Sequence, residues 1–291
     1  IDDAGNTATA VRTINVVDIE APVITLKGNN PVNIYVENTY VDAGATAVDD
    51  VDGDVTNRII ITGTVNPSIA GTYTITYTVS DEAGNIATAT RTVHVVDNEA
   101  PTVTFETNGN STYAKSYSTK VTVTDAHSGV NTSSLKYLWN TSTSTPSESS
   151  FSSTFTNGGT ISSPSGVTGT YYLWILAKDK TGNTTITRTN AFNLDNTKPV
   201  ITLNGSSTVN IDLGTTYTDA GATATDAHSG VSSNINVTSN VNTNLAGTYT
   251  VKYNVSDNAG NTATEVVRTV IVNGITQYRY RTSSQSCSTC Y

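Results

Sequence analysis

The first 286 residues of this 291-residue chain contain no cysteine; the only two, Cys287 and Cys290, lie among its last five residues. Any fold built from residues 1–286 therefore rests on apolar cores and not on disulfides. Methionine is absent, and the start shows no signal-peptide pattern, so the chain reads as a processed or excised piece of something longer. No run approaches 18 apolar residues, which argues against a transmembrane helix. Charge is scarce: 13% of residues are charged, 24 acids against 15 bases, for a formal net charge of −9. The acidic balance, with no basic stripe, argues against nucleic acid and anionic membrane as partners. What the chain has in abundance is threonine, 55 of 291. A β-branched, polar side chain favours pleated strands with one wet face and disfavours long helices.

Internal repeats organise the sequence. Asp2–Pro22 reads DDAGNTATAVRTINVVDIEAP and Asp81–Pro101 reads DEAGNIATATRTVHVVDNEAP, identical at 15 of 21 positions. A third copy starts at Asp257 (DNAGNTATEVVRTVIV) and a diverged one at Asp179 (DKTGNTTITRTNAFNLD). Before three of these turns stands a second landmark: Gly71-Thr-Tyr73, Gly169-Thr-Tyr171 and Gly247-Thr-Tyr249. Between landmark and turn the residues alternate. Tyr73, Ile75, Tyr77 and Val79 face one way, and Thr74, Thr76, Thr78 and Ser80 the other. Period two predicts a half-buried strand, and the closing Gly-Asn supplies the left-handed conformations of a tight hairpin.

Further strands are predicted at Val23–Lys27, Asn33–Val36, Ala45–Val48, Arg58–Val65 and Thr262–Val272. In the middle repeat a long strand carries Leu135, Tyr137 and Trp139 on one face, and an extra Ser/Thr/Gly-rich stretch runs from Ser142 to Gly169. Many short strands with regular turns indicate an all-β chain of tandem immunoglobulin-like antiparallel β-sandwiches, arranged as beads on a string. The expected division is residues 1–18 (the last strand of a preceding repeat), 21–97, 99–195, 198–272, and a tail at 273–291. Tyr73, Tyr171 and Tyr249 stand where a tyrosine corner is expected. Tyr77, Trp139, Trp174 and Tyr253 read as core packing.

The pattern Ala-Pro-x-Ile-Thr-Leu, then Tyr-x-Asp-Ala-Gly-Ala-x-Ala-x-Asp, then Gly-Thr-Tyr with Asp-x-x-Gly-Asn behind it, resembles bacterial immunoglobulin-like surface repeats. These are related to hyalin-type repeats and to the immunoglobulin-like modules of pesticidal crystal proteins. Residues 21–97 and 198–272 carry the full pattern, and residues 99–195 resemble a sister module. The resemblance implies an extracellular, cell-surface or secreted location and a role as stalk, spacer or adhesive segment. Fold alone does not imply function.

No glycine-rich phosphate loop and no HExxH motif occurs. Asp125-Ala-His127-Ser128 and its copy at His228 place Ser, His and Asp types together, but successive turn residues diverge where a triad must converge. His94 has no neighbouring ligand. Cys287 and Cys290 lack the second pair a zinc ribbon needs. The chain is thus expected to be non-enzymatic: a stalk or fibre segment spacing or presenting an adhesive element. Its expected partners are other domains of one long chain, neighbouring copies in a fibre, and host or matrix glycans or proteins. The alternatives are a glycan- or protein-binding adhesin, centred on the 142–169 insertion and its aromatics, and an accessory part of a secreted enzyme or phage fibre. Thr7–Val17 is expected to be a strand without its own sandwich, either an excision boundary or a strand donated to a neighbour.

The acids recur unit by unit. In the proposed topology Asp18, Glu20, Asp49, Asp50, Asp52, Asp54 and Asp81 converge at the first junction. Asp97, Glu99, Asp125 and Asp179 form the second, and Asp195, Asp226 and Asp257 the third. Like charges so gathered call for a cation. Calcium, which takes six to eight oxygens in flexible geometry, is the expected cofactor.

Overall fold

The computed structural model describes residues 1–274; Cys287, Cys290 and the tail beyond lie outside the described residues. The chain divides into two compact units. One comprises Ile1–Val103, Val123–Leu135 and Leu176–Thr185; the other comprises Thr104–Thr122, Lys136–Ile175 and Ile186 onward. The strands pair mostly antiparallel, as the threonine-rich alternation predicts.

The first sandwich contains β1 (Val23–Leu26), β2 (Val32–Tyr35), β3 (Ala45–Asp49), β4 (Gly53–Asp54), β5 (Ile60–Thr62), β6 (Gly71–Ser80) and β7 (Ile86–Val96). Its sheets run β1-β3-β4 and β2-β7-β6-β5. The alternation along β6 holds: Ile75, Tyr77 and Val79 are buried, whereas Thr72 and Thr74 are exposed. Fully burying such a side chain contributes about 1.5–3 kcal/mol. The strand predicted at Arg58–Val65 shortens to β5, because Thr56–Arg58 form a 3-10 turn ahead of it.

The middle strands are β8 (Thr102–Phe105), β9 (Asn110–Ala114), β10 (Ser118–Thr124), β11 (Lys136–Asn140), β12 (Ser153–Thr154), β13 (Thr160–Ser162), β14 (Gly169–Lys178), β15 (Thr184–Arg188) and β16 (Phe192–Leu194). They form the sheets β13-β10-β8 and β12-β11-β14-β16-β9, with β15 on β14. The last group is β17 (Val200–Leu203), β18 (Thr208–Asp212), β19 (Ala222–Thr225), β20 (Asn236–Ser239), β21 (Gly247–Asn254) and β22 (Val266–Asn273). Its sheets are β17-β19 and β18-β22-β21-β20.

In each sandwich the last strand is antiparallel to one long strand (β7 to β6, β16 to β14, β22 to β21) and parallel to an early strand: β7 to β2, β16 to β9, β22 to β18. Two strand predictions shift for identifiable reasons. The hairpin of β6 and β7 pairs without a break from Gly71↔Val95 to Ser80↔Ile86. Its copy stops at Tyr253↔Val266, so β22 begins at Val266 and not at Thr262. One extra residue lies between Asp257 and Arg268 compared with Asp81 and Arg91, and an inserted residue interrupts a ladder. Residues 7–17 are not in a strand. Val11, Ile14 and Val16 are 92%, 77% and 94% exposed, because an isolated strand has no ladder to join. The turn before them forms all the same, with the Asn6 N–H and side-chain amide donating to Asp2 at 2.8 Å each.

The tyrosine corners form at both positions flanking the middle sandwich. The Tyr73 hydroxyl donates to the Ile69 carbonyl and that of Tyr249 to the Leu245 carbonyl, each at 2.9 Å.

Candidate metal centres

Each hairpin turn opens with an aspartate that organises its own loop. Asp81 accepts the Asn85 N–H and the Asn85 side-chain amide, both at 2.7 Å. Gly84, at φ 93°, takes the left-handed step that closes this loop. Asp257 receives the same two donors from Asn261 at 2.7 Å. Asp179 accepts from Asn183 and also from the N–H and hydroxyl of Thr181. A second aspartate caps the turn that follows an inner strand. Asp49 accepts the N–H groups of Val51 and Asp52 at 2.9 and 2.8 Å. Asp125 and Asp226 do the same for the Gly129 and Gly230 N–H groups. The third comes from the linker: Asp18 accepts from Glu20, Asp97 from Glu99, and Asp195 from Thr197.

These local motifs converge. In each of the sets Asp18–Asp49–Asp81, Asp97–Asp125–Asp179 and Asp195–Asp226–Asp257, one carboxylate oxygen per residue lies within 4.8 Å of the other two. All members but Asp18, Asp125 and Asp226 are buried. At such separations and an effective dielectric near 20, each pair of ionised carboxylates repels by about 3–4 kcal/mol. Burial alone would push the carboxyls of Asp81, Asp179 and Asp226 up. Donors from the turn outweigh it, and all three are held below the usual carboxylate range.

Nine of the fourteen acids singled out in the sequence are thereby gathered; five are not. Glu20 and Asp50 are exposed. Asp52 receives Arg58 Nη1 at 3.0 Å and the Glu82 N–H at 2.7 Å. Asp54 accepts from the Thr56 N–H. Glu99 lies 3.4 Å from His127 Nε2, while His127 Nδ1 faces the Ser68 carbonyl at 3.1 Å and the Ser128 hydroxyl turns to Asp125. Ser, His and Asp of this turn do not converge.

The asparagine of Asp-x-x-Gly-Asn, expected only to close its turn, has a second role. Besides closing the turn, its amide donates to the carbonyl of the linker aspartate: Asn85 to Asp18 at 3.4 Å, Asn183 to Asp97 at 3.1 Å, Asn261 to Asp195 at 2.9 Å. One side chain thus ties the linker to the pole of the sandwich that follows.

A second constellation explains the Tyr-x-Asp-Ala-Gly motif. Arg91, 1% exposed, sends Nη1 to Asp42 at 2.7 Å and Nη2 to the carbonyls of Lys27 and Gly44. Asp42 also accepts the hydroxyls of Tyr77 at 2.7 Å and Tyr40 at 2.9 Å. Arg268 repeats this with Asp219, Tyr217, Tyr253 and the carbonyls of Asn204 and Gly221. Tyr77 and Tyr253 therefore do more than pack. Their hydroxyls hold a buried ion pair in register.

Residues 24–95 and 201–272 match the model of the family described as bacterial surface protein, Ig-like domain. The chain carries two bacterial surface Ig-like domains. It is 29% identical over 298 residues to hyalin of Strongylocentrotus purpuratus, covering 93% of this chain and 22% of hyalin. It is 33% identical over 184 residues to the serine-rich adhesin for platelets of Staphylococcus aureus strain MSSA476, covering 58% of this chain and 8% of the adhesin. The chain thus spans about a fifth of the one relative and under a tenth of the other. Among solved structures, mouse cadherin-23 EC22–24 aligns at 15% identity and a TM-score of 0.40, covering 88% of this chain and 99% of that one. The protocadherin gammaB4 extracellular domain aligns at 13% and 0.37, covering 87% and 49%.

Both Ig-like domains contain the arginine constellation. Burial opposes ionisation of Asp42 and Asp219, but the tyrosine hydroxyls and the guanidinium outweigh it and hold both carboxyls below the usual range. A carboxyl lowered in the folded state contributes stability above its unfolded value and loses it as pH falls through the folded one. The expected result is denaturant stability that is flat in this contribution from pH 7 to 5 and falls below about pH 4, with Asp42→Asn and Asp219→Asn flattening the acid limb. A loss between pH 7 and 5 that these variants abolish would contradict the sign.

The middle sandwich lies outside both matched segments; its Trp174 is covered on the face of β14 opposite Leu173 and Ile175, and Tyr137, Trp139 and Tyr172 are half-buried. Trp174 is 3% exposed, and its indole N–H donates to the Ser142 carbonyl at 3.2 Å. Trp139 meets Phe192 edge-on at 5.5 Å. Phe151 is buried, and Tyr172 lies under the Arg188 guanidinium at 4.5 Å.

Proposed function

We propose that this chain is a non-enzymatic extracellular segment of a bacterial surface protein, spacing or presenting an adhesive element, with calcium at the aspartate triads stiffening the junctions. The observation that carries the reading is the repetition of one constellation: linker Asp, inner-turn Asp and hairpin Asp, with an Asn fastening the linker, three times in series. The donor set suits a hard cation. Oxygens each about 2.4 Å from calcium can lie up to about 4.8 Å apart, the spread found in each triad. Two oxygens also want a partner: Oδ2 of Asp49, a residue 4% exposed, and Oδ2 of Asp226 are buried without a hydrogen-bond donor. A buried carboxylate oxygen left unpaired is costly, and a cation would satisfy it. Backbone carbonyls and water would complete the shell.

The covered Trp174 and half-buried Trp139 favour a spacer over a glycan-binding surface, because stacking on sugar needs an exposed aromatic face. The segment 1–18 and the division at 21–97, 99–195 and 198–272 belong to the same reading: units in tandem, each with its own core, joined by linkers that carry one triad member. Under it, millimolar calcium slows proteolytic cleavage at residues 17–22 and 97–101 severalfold, and excess chelator restores it. Cleavage rates indifferent to calcium at both linkers would remove the ion from the proposal.

A further inference from the structure

We propose that the two Ig-like domains are built to bear tension along the chain, through a shear pairing of an early strand with the last strand and a buried arginine bolt across the sandwich, and that the middle sandwich is the weaker element that yields first. This rests on the stalk reading above, since only a chain held at both ends feels such a load. Tension enters each domain at the start of its first strand and leaves at the end of its last. In the first domain β2 runs parallel to β7, with Val32↔Val93 through Tyr35↔Val96 in register. In the last domain β18 runs parallel to β22 from Thr208↔Thr269 through Asp212↔Asn273. When the start of one strand and the end of its parallel neighbour are pulled apart, the strands slide along each other. All the ladder bonds are then loaded together. An antiparallel pair pulled from one end opens bond by bond.

The arginine adds a second tie across the two sheets. Arg91 sits on β7 and holds the carbonyl of Lys27, just past β1, and that of Gly44, just before β3. The first strand is thereby fastened to the last although the two belong to different sheets. Arg268 on β22 does the same through Asn204, just past β17, and Gly221, just before β19.

The middle sandwich lacks both refinements. Ten residues beyond its hairpin aspartate, where Arg91 stands relative to Asp81, it has Thr189, whose hydroxyl stays local and accepts the Leu173 N–H at 3.1 Å. Its parallel pair, β9 with β16, is broken by a register shift between Phe192 and Asn193.

Stretching the whole chain between terminal attachment points in a single-molecule force experiment tests this. Unfolding Thr102–Leu194 releases about 320 Å of chain and each Ig-like domain about 255 Å, at about 3.3–3.6 Å per residue, so the events identify themselves by length. The long step is expected at the lowest force. Replacing Arg91, Asp42, Tyr40 and Tyr77 together by Met, Leu, Phe and Phe removes the bolt without stranding a charge. It is expected to move one short step to a lower force while the denaturant midpoint stays near the wild-type value. If the long step comes last, or the fourfold variant unfolds at unchanged force, the assignment is wrong and the stalk reading stands. If all three units give way at the low forces of a hairpin opening bond by bond, the stalk reading fails with it.

Discussion

Arg91→Met should destabilise the first Ig-like domain by about 3–5 kcal/mol, a large share of its stability. Removing one partner of a buried ion pair costs about 3–5 kcal/mol, against a typical domain stability of about 5–15 kcal/mol. The loss is not the salt bridge alone. Asp42 would keep its two tyrosine donors but lose the guanidinium, and the carbonyls of Lys27 and Gly44 would lose the donor that joins them. Arg91→Lys should recover little, because a single ammonium cannot reach a carboxylate and two carbonyls as a planar fork does. Arg268→Met should do the same to the other Ig-like domain and leave the first intact, which two separate denaturation transitions would reveal. A cost under about 1 kcal/mol in either variant would mean the constellation is exposed and hydrated in solution.

Calcium should raise the melting temperature of the chain, and Asp49→Asn should reverse the ion's effect at the first triad. Ligand at a hundredfold excess over its dissociation constant stabilises by about 2.7 kcal/mol. The asparagine oxygen can keep the bonds from Val51 and Asp52. Its amide would replace the unpaired Oδ2 with a donor facing the carboxylates of Asp18 and Asp81. In chelator, then, Asp49→Asn should melt above wild type, because repulsion is relieved. In calcium it should melt below wild type, because a ligand is gone. The crossing of the two curves is the signature, and scanning calorimetry reads it. Asp52→Asn should show no such crossing, since Asp52 is engaged with Arg58. Parallel curves for Asp49→Asn and wild type would return the triad to ordinary turn chemistry.

Much of the site could be read in advance because its parts are local. An Asp that caps its own turn needs only its next few residues, so Asp81, Asp179 and Asp257 announce themselves by the Gly-Asn behind them. Linker aspartates announce themselves by the proline four residues on. What was not legible is which neighbouring acids share the pole. Asp50, Asp52 and Asp54 sit within five residues of Asp49 but point elsewhere, because side chains diverge around a tight turn and Arg58 claims Asp52. The amide of Asn85 looked like turn chemistry because its second bond, to the Asp18 carbonyl, spans 67 residues.

The sequence by itself determined most of the strands, the inward face of the long hairpin strand β6 and the tandem repeat, since period-two alternation and turn residues act over a few positions. It also set the one-residue insertion before Arg268 that shortens the last strand. Only the tertiary structure decided that Arg91 and Arg268 lie buried on Asp42 and Asp219. A charged residue in an alternating strand looks surface-bound until the carboxylate and carbonyls that neutralise it, 47 to 64 residues away, are brought against it. The same holds for the triads: three loops far apart in the chain meet at one pole because the sheets fix where each turn ends.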